Sequence, residues 1–368
     1  MVGDEQHQPY DRPPLSKQVL LGQWEQDRLA LRGQADLDRL GVDMRLGVPA
    51  GGLDVDARKV VLADGTRIGY DAAVVATGVR PRRLPGTEGV AGVHVLRDLE
   101  DAQALRSALT RGSRLVVVGA GVLGSEVAAV ATKLGVEVTL VDSLPLPMSR
   151  VVGDEVGRLV AELHREHGVD LRCGTGMRQV HQTAGNVESV ELADGAVVPA
   201  DAVLVAVGAT PAVEWLEEAP VLLGGPEPEQ GAGGVLCDAG GRAVEGVYAA
   251  GDVAAWQNPT TGSYTRVEHR LNATEQGRAV AKAILDPATP RTASVPYFWS
   301  DQYDLKIQSV GLPEAGDDFA VVDGALAERR FVGAYVRDGV VTGALGIGMH
   351  RRLREWRQRI GRPLTEVA

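Results

Sequence analysis

The chain has 368 residues, 44% of them hydrophobic and 24% charged, and a formal net charge of −11. That length can bury large cores and hold two or three domains, and the acidic balance argues against general nucleic-acid binding. No apolar run approaches the ~20 residues that span a bilayer. The start, Met1-Val-Gly-Asp-Glu-Gln-His7, lacks the basic and apolar regions of a secretory signal. Cys173 and Cys237 form no C-x-x-C pair, so a cytoplasmic protein with reduced thiols is expected.

Residues 1–18 are polar and proline-bearing and read as an extended loop leading into a helix; 19–45 read as helix or loop. Val60 to Ile68 is a hairpin around Asp64-Gly65. Tyr70 to Gly78 reads as a buried strand ending at a glycine turn. Leu99 to Leu109 reads as a helix, followed by the strand from Leu115. Val151 to His167 is another helix; strands follow near 169–172, 187–192 and 202–208, with an Asp194-Gly195 turn. The Gly-, Pro- and Glu-rich stretch 221–241 is the expected domain crossover. A helix spans about 272–285, and 287–296 reads as a linker. The rest carries strands near 306–310, 319–322 and 331–337, suited to an antiparallel sheet, and closes with a basic helix, Met349–Ile360.

The densest chemical signal is Leu115-Val-Val-Val-Gly119-Ala-Gly121-Val122-Leu123-Gly124-Ser-Glu126, followed by the strand Val136 to Asp142. Strand, G-x-G-x-x-G, helix, strand and acid arrive in the order of a dinucleotide-binding βαβ unit. The first glycine allows the tight turn, the second lets backbone approach a pyrophosphate, and the third lets helix and strand pack. The pyrophosphate is drawn to the helix N-terminus by free N–H groups and the helix dipole. Asp142 would accept from the adenosine ribose and repel a 2′-phosphate, favouring NADH.

Three more strand-end glycine turns, at Ala76-Thr77-Gly78, Val207-Gly208 and Ala250-Gly251-Asp252, suit backbone contact with a flavin or nicotinamide. Lys17 and Glu126 are candidate site charges; the alternative is a solvated lysine and a helix-surface acid. Glu126 lies two residues past the last glycine, on the first turn of its helix, where the ligand crevice is expected. His164-Arg-Glu-His167 lacks the order of a zinc motif and reads as a solvated helix face, so no metal site is expected. No G-x-S-x-G elbow supports hydrolysis. From Glu328 on, nine arginines face four acids. That local positive excess is either a solvated amphipathic helix or a surface that steers an acidic protein.

These residues together resemble the FAD-containing, NADH-dependent ferredoxin reductases that serve oxygenases. Pro9-Tyr-Asp-Arg-Pro-Pro-Leu-Ser-Lys17 and Pro296-Tyr-Phe-Trp-Ser-Asp-Gln-Tyr-Asp-Leu-Lys306-Ile-Gln308 carry the resemblance, with the three glycine turns in family order. It runs from about residue 8 to 340. The resemblance implies an α/β protein of the glutathione-reductase-like, two-dinucleotide-domain fold. An FAD domain over 1–112 and 229–290, an NAD domain over 113–228 and a C-terminal α+β domain over 291–368 are expected. It implies that Lys17 and Glu126 flank the nicotinamide–flavin contact. It further implies that Arg12, Pro13, Lys17, Ala50, Ala76, Thr77, Gly78, Arg80, Arg97, Gly251, Asp252, Arg270 and Trp299 serve FAD. For NAD it implies Gly119, Gly121, Val122, Leu123, Gly124, Glu126, Asp142 and Gly208. Disulfide reductases of the same superfamily carry a redox cysteine pair where Pro13 to Lys17 stands, so electrons here are expected to leave the flavin directly.

Family members open with their own βαβ unit for the ADP half of FAD. Val2-Gly-Asp-Glu5 reads as the end of that unit, so the first strand, its glycine loop and its helix are expected to be missing, along with their pyrophosphate site. Two functions follow. One is an enzyme passing electrons from NADH through FAD to a small iron–sulfur ferredoxin, with no nucleic-acid or membrane partner and homodimer formation open. The other is a non-catalytic NAD(H)-binding remnant or sensor that has lost FAD.

Overall fold

The computed structural model describes all residues except 226–232, 259–261, 287, 289–294, 315 and 367–368. The crossover expected over 221–241 and the linker over 287–296 fall largely on residues outside that set. The chain divides into two compact units: residues 1–11, 29–80 and 209–296 form the first, and 12–28, 81–208 and 297–368 the second.

The first unit is built from small sheets around one core. Ala50–Asp54, Lys59–Leu62 and Arg67–Gly69 form an antiparallel meander, with the expected Asp64-Gly65 turn between the last two. Asp64 accepts the Thr66 N–H at 2.9 Å and Gly65 takes a positive φ of 84°, which is why Asp-Gly turns the chain there. Ala73–Val75 pairs in parallel with Val247–Ala249. The buried strand expected over 70–78 is thus three residues long and lies at a sheet edge, and Val74 is 45% exposed. Leu53, Val75, Leu216, Val235, Val247 and Val253 make the core. Helix Arg270–Leu285 matches the expected one.

In the second unit, Val93–His94, Ala202–Val205, Arg114–Val118, Glu137–Asp142 and Asp170–Cys173 lie side by side in that order, all parallel. Val116, Val118, Val203 and Val205 project from one face onto Val190, Leu192 and Val198 of the antiparallel meander 177–199. The helix Val122–Lys133 follows the central strand. A second sheet orders Tyr297–Gln302, Leu305–Gly311, Val340–Ile347, Arg330–Arg337 and Asp318–Ala325, every pair antiparallel as expected.

The long helix Ser149–Glu166 joins the two sheets of this unit. Val152, Val156, Leu159 and Val160 repeat at helical spacing and pack on Phe298, Ile307, Phe331, Tyr335 and Leu345. The helix is kinked at Gly153 (φ 71°), and the Tyr335 hydroxyl donates to the neighbouring Val152 carbonyl at 2.6 Å. His164 corrects the reading of a solvated face. It is fully buried, its Nδ1 lies 2.9 Å from the Tyr303 hydroxyl, and burial lowers its pKa to about 4. His167 stacks on the same Tyr303 ring. The basic helix is shorter than expected, His350–Trp356, with Leu353 and Trp356 buried and Arg351, Arg352 and Arg354 exposed.

Candidate active site

The glycine loop follows strand Arg114–Val118, and each glycine does a different job. Gly119 has φ 106°, and a Cβ there would lie 2.4 Å from the Ala206 carbonyl oxygen. At Gly124 a Cβ would meet the Gly119 carbonyl oxygen at 1.9 Å, so only glycine lets the helix return so close to its own loop. Gly121 differs. It caps the helix with an extended backbone, and a Cβ built there meets nothing within 4 Å. The space above Gly121 is where a pyrophosphate would approach the first-turn N–H groups, which no helix can satisfy internally.

Asp142 ends the adjacent strand. Its Oδ2 accepts the Ala120 N–H at 2.6 Å and its Oδ1 accepts the Leu144 N–H at 2.8 Å, so the loop itself orients the acid. Each oxygen keeps a lone pair for a ribose hydroxyl. Gly208 lies three residues past Ala202–Val205, the strand on the other side of the central one, which is shorter than the expected 202–208; it has φ 97° and open space at its Cβ position.

Glu126 is the fifth residue of its helix, one position beyond the expected first turn, and is 3% exposed. Its Oε2 accepts from Lys17 Nζ at 2.6 Å and from Ser16 Oγ at 2.7 Å. Lys17 is also buried, on the single turn Leu15–Val19, and its Nζ donates to the Pro13 carbonyl at 3.2 Å. The solvated-charge alternative is therefore set aside: these two side chains form a buried ion pair. Two contributors escaped sequence reasoning. Ser16 binds Oε2, and Ser300 donates to Oε1 at 2.9 Å from the first strand of the C-terminal sheet. The available signal was the alternation Phe298, Ser300, Gln302, which puts two polar side chains on the inward face of a strand.

The first unit repeats the strand-end arrangement. Gly78 (φ 68°) and Gly251 (φ 80°) follow two adjacent parallel strands. The Gly251 N–H is held by Gln276 Oε1 at 2.8 Å, the Thr77 hydroxyl by the Ala212 carbonyl at 2.7 Å, and the Asp252 carbonyl accepts from Arg266 at 2.9 Å. Arg270 pairs with Asp11 at 2.9 Å, leaving its backbone at the start of its helix. Arg80 lies 3.5 Å from Glu214 and 3.6 Å from Asp4. Ala50 opens its strand and Ala76 precedes the Thr77-Gly78 turn. These residues belong to the first unit; Arg12, Pro13, Lys17, Arg97 and Trp299 belong to the second. There the Arg12 guanidinium donates to the Arg97 carbonyl at 2.9 Å, and Trp299 stacks on Tyr297.

Neither cysteine is placed for thiol chemistry. Burial and nearby Asp142 push the Cys173 thiol up to about 11, and burial pushes Cys237 to about 12. Both are protonated at neutral pH and poor nucleophiles.

Paired strand-end glycine turns in each unit, one carrying a complete G-x-G-x-x-G, define a dinucleotide-dependent oxidoreductase. Residues 1–277 match the model of the pyridine nucleotide-disulphide oxidoreductases, and 297–365 match the reductase C-terminal domain. Rhodocoxin reductase of Rhodococcus erythropolis is 38% identical over 328 residues, 89% of this chain and 74% of that one. Putidaredoxin reductase of Pseudomonas putida is 36% identical over 343 residues, 92% and 79%. The covalent putidaredoxin reductase–putidaredoxin complex superposes with a TM-score of 0.91 at 32% identity, covering 99% of this chain and 88% of that one. The chain belongs to the pyridine nucleotide-disulphide oxidoreductases and, within them, to the ferredoxin–NAD reductases of oxygenase systems.

Proposed function

We propose that this chain carries electrons from NADH through FAD to a small [2Fe–2S] ferredoxin that supplies a P450 or a Rieske oxygenase. The observation that carries the reading is the glycine loop open above Gly121, leading directly into the helix that holds Glu126 against Lys17. Bound FAD supplies the conversion of one hydride into two single electrons. The protein supplies placement and charge. Residues 113–228 receive NADH: the loop N–H groups take the pyrophosphate and Asp142 takes the ribose. Lys17 and Glu126 present a fixed, buried dipole whose cationic end can stabilise negative charge as it develops. Gly78, Gly251 and Asp252 offer backbone and a carboxylate for the flavin nucleotide. Overall, one NADH and two oxidised ferredoxins give NAD⁺, a proton and two reduced ferredoxins.

Ferredoxin docking falls to the arginine-rich end of the chain, where Arg351, Arg352 and Arg354 are exposed. An acidic partner is steered there by a local positive field within a negative molecule. The reading further places the protein in the cytoplasm, with no nucleic-acid or membrane partner; no helix among the described residues is long and apolar enough to cross a membrane. A homodimer is its proposed assembly, checked by sedimentation. The function is tested by NADH-dependent reduction of cytochrome c in the presence of a [2Fe–2S] ferredoxin. Ferredoxin-dependent turnover is expected; NADH binding without any turnover would favour the non-catalytic reading.

A further inference from the structure

Glu126 is held from two directions. Ser16 and Lys17 take Oε2; Ser300 Oγ lies 2.9 Å from Oε1, and the Asp301 N–H adds a longer contact at 3.4 Å. Ser300 and Gln302 are both fully buried on strand Tyr297–Gln302 and face the same way. Gln302 Nε2 lies 3.2 Å from Ser300 Oγ and 2.9 Å from Met148 Sδ.

The direction of this chain is fixed by donor counting. An ion-paired carboxylate only accepts, so Ser300 must give its single proton to Glu126. Ser300 can then only accept from Gln302, which must turn its amide NH₂ toward the serine. That leaves Gln302 Oε1 pointing the other way, and it is a buried acceptor without a partner among the described residues. A buried unsatisfied acceptor is rare and calls for a reason. The reason here is the directed chain Gln302 to Ser300 to Glu126.

We propose that Ser300, backed by Gln302, is a positioning residue for the reduction step. It locks the Glu126 carboxylate and, through it, the Lys17 ammonium, so the C-terminal sheet sets the charge geometry of the nucleotide helix. The proposal rests on the reductase reading for its catalytic consequence, but its structural half concerns only this chain's own residues.

The test is a double-mutant cycle between Ser300→Ala and Glu126→Ala. In the flavin-free protein, thermal unfolding is expected to show coupling: the double variant loses less than the sum of the single losses. In the flavin-loaded protein, anaerobic stopped-flow reduction by NADH separates binding from the reduction step. Ser300→Ala is expected to slow the limiting reduction rate about tenfold, the scale of one hydrogen bond to a charged group, with NADH affinity within twofold. Ser300→Thr, which keeps the hydroxyl, restores the rate. In the Glu126→Ala background the serine change adds less than twofold. Ser300→Cys keeps the volume with a weak donor and carries the same expectation should the alanine variant not fold. Additive losses in either measurement, or a wild-type reduction rate in Ser300→Ala, would overturn the proposal while leaving the reductase reading intact. A wild-type protein that takes no flavin overturns that reading and the catalytic half together, whereas additive unfolding alone sinks the positioning contact.

Discussion

Glu126 shows how much one buried carboxylate organises. It joins a single-turn helix, the nucleotide helix and the C-terminal sheet. Glu126→Ala leaves the Lys17 ammonium buried with only a carbonyl and a hydroxyl. Removing one partner of a buried pair costs about 3–5 kcal/mol, so urea unfolding should shift by that order. Flavin reduction by NADH should slow at the same time, and unchanged reduction kinetics would remove Glu126 from the mechanism. A second residue-scale effect concerns acid. Burial lowers both His164 and His269 to about 4 from an ordinary 6.5. Between those values the unfolded chain binds protons that the folded one refuses, so stability is full above about pH 6.5 and is lost as pH falls towards 4. The melting temperature should fall through that window, and His164→Gln should flatten the fall; an identical pH profile in that variant would argue against it.

At the scale of elements, the glycine loop separates folding from binding. Gly124→Ala drives a methyl into the Gly119 carbonyl and should destabilise the unit. Gly121→Ala points a methyl into open space, so it should fold with a melting temperature near wild type yet lose at least tenfold in NADH affinity. Calorimetric melting beside NADH titration distinguishes the two; normal affinity in Gly121→Ala would move the pyrophosphate elsewhere. This loop was legible in the sequence because its logic is local: five features in order within 28 residues, from Leu115 to Asp142. Elements without such local signals were not. Met177–Thr183 pairs along its length with Asn186–Leu192 yet offers only Met177 and Val180 as apolar residues. Val340–Ile347 is interrupted by Gly343 and Gly346, whose close neighbours are Pro313 and Leu353. The alternation around Ser300 marks it as inward-facing, but its role was hidden for another reason: its partner is 174 positions away, and no spacing rule reaches that far.

At the scale of the whole molecule, charge is unevenly distributed. The chain carries −11 overall, while residues 328–368 hold nine arginines against four acids. Part of that positive charge is already paired: Arg329 with Glu166 at 2.6 Å and Arg337 with Asp317 at 2.6 Å. On the last helix Arg352 also pairs, with Asp323 at 3.4 Å and Glu355 at 3.8 Å, which makes the exposed Arg351 and Arg354 the side chains to test against an acidic partner. Replacing Arg351 and Arg354 with alanine should lower kcat/KM for ferredoxin several-fold at low salt, with little change for NADH. The difference should shrink as ionic strength rises and the Debye length falls below about 8 Å. A salt-independent difference would place docking elsewhere.

Electron delivery to a ferredoxin requires first that this chain hold a flavin and reduce it with NADH. The visible absorption spectrum of the purified 368-residue protein, recorded without oxygen before and after adding NADH, tests it most directly. Flavin bands that bleach on addition of NADH are expected. A colourless protein that also fails to take up added FAD would contradict that expectation and identify a nucleotide-binding protein without the flavin step.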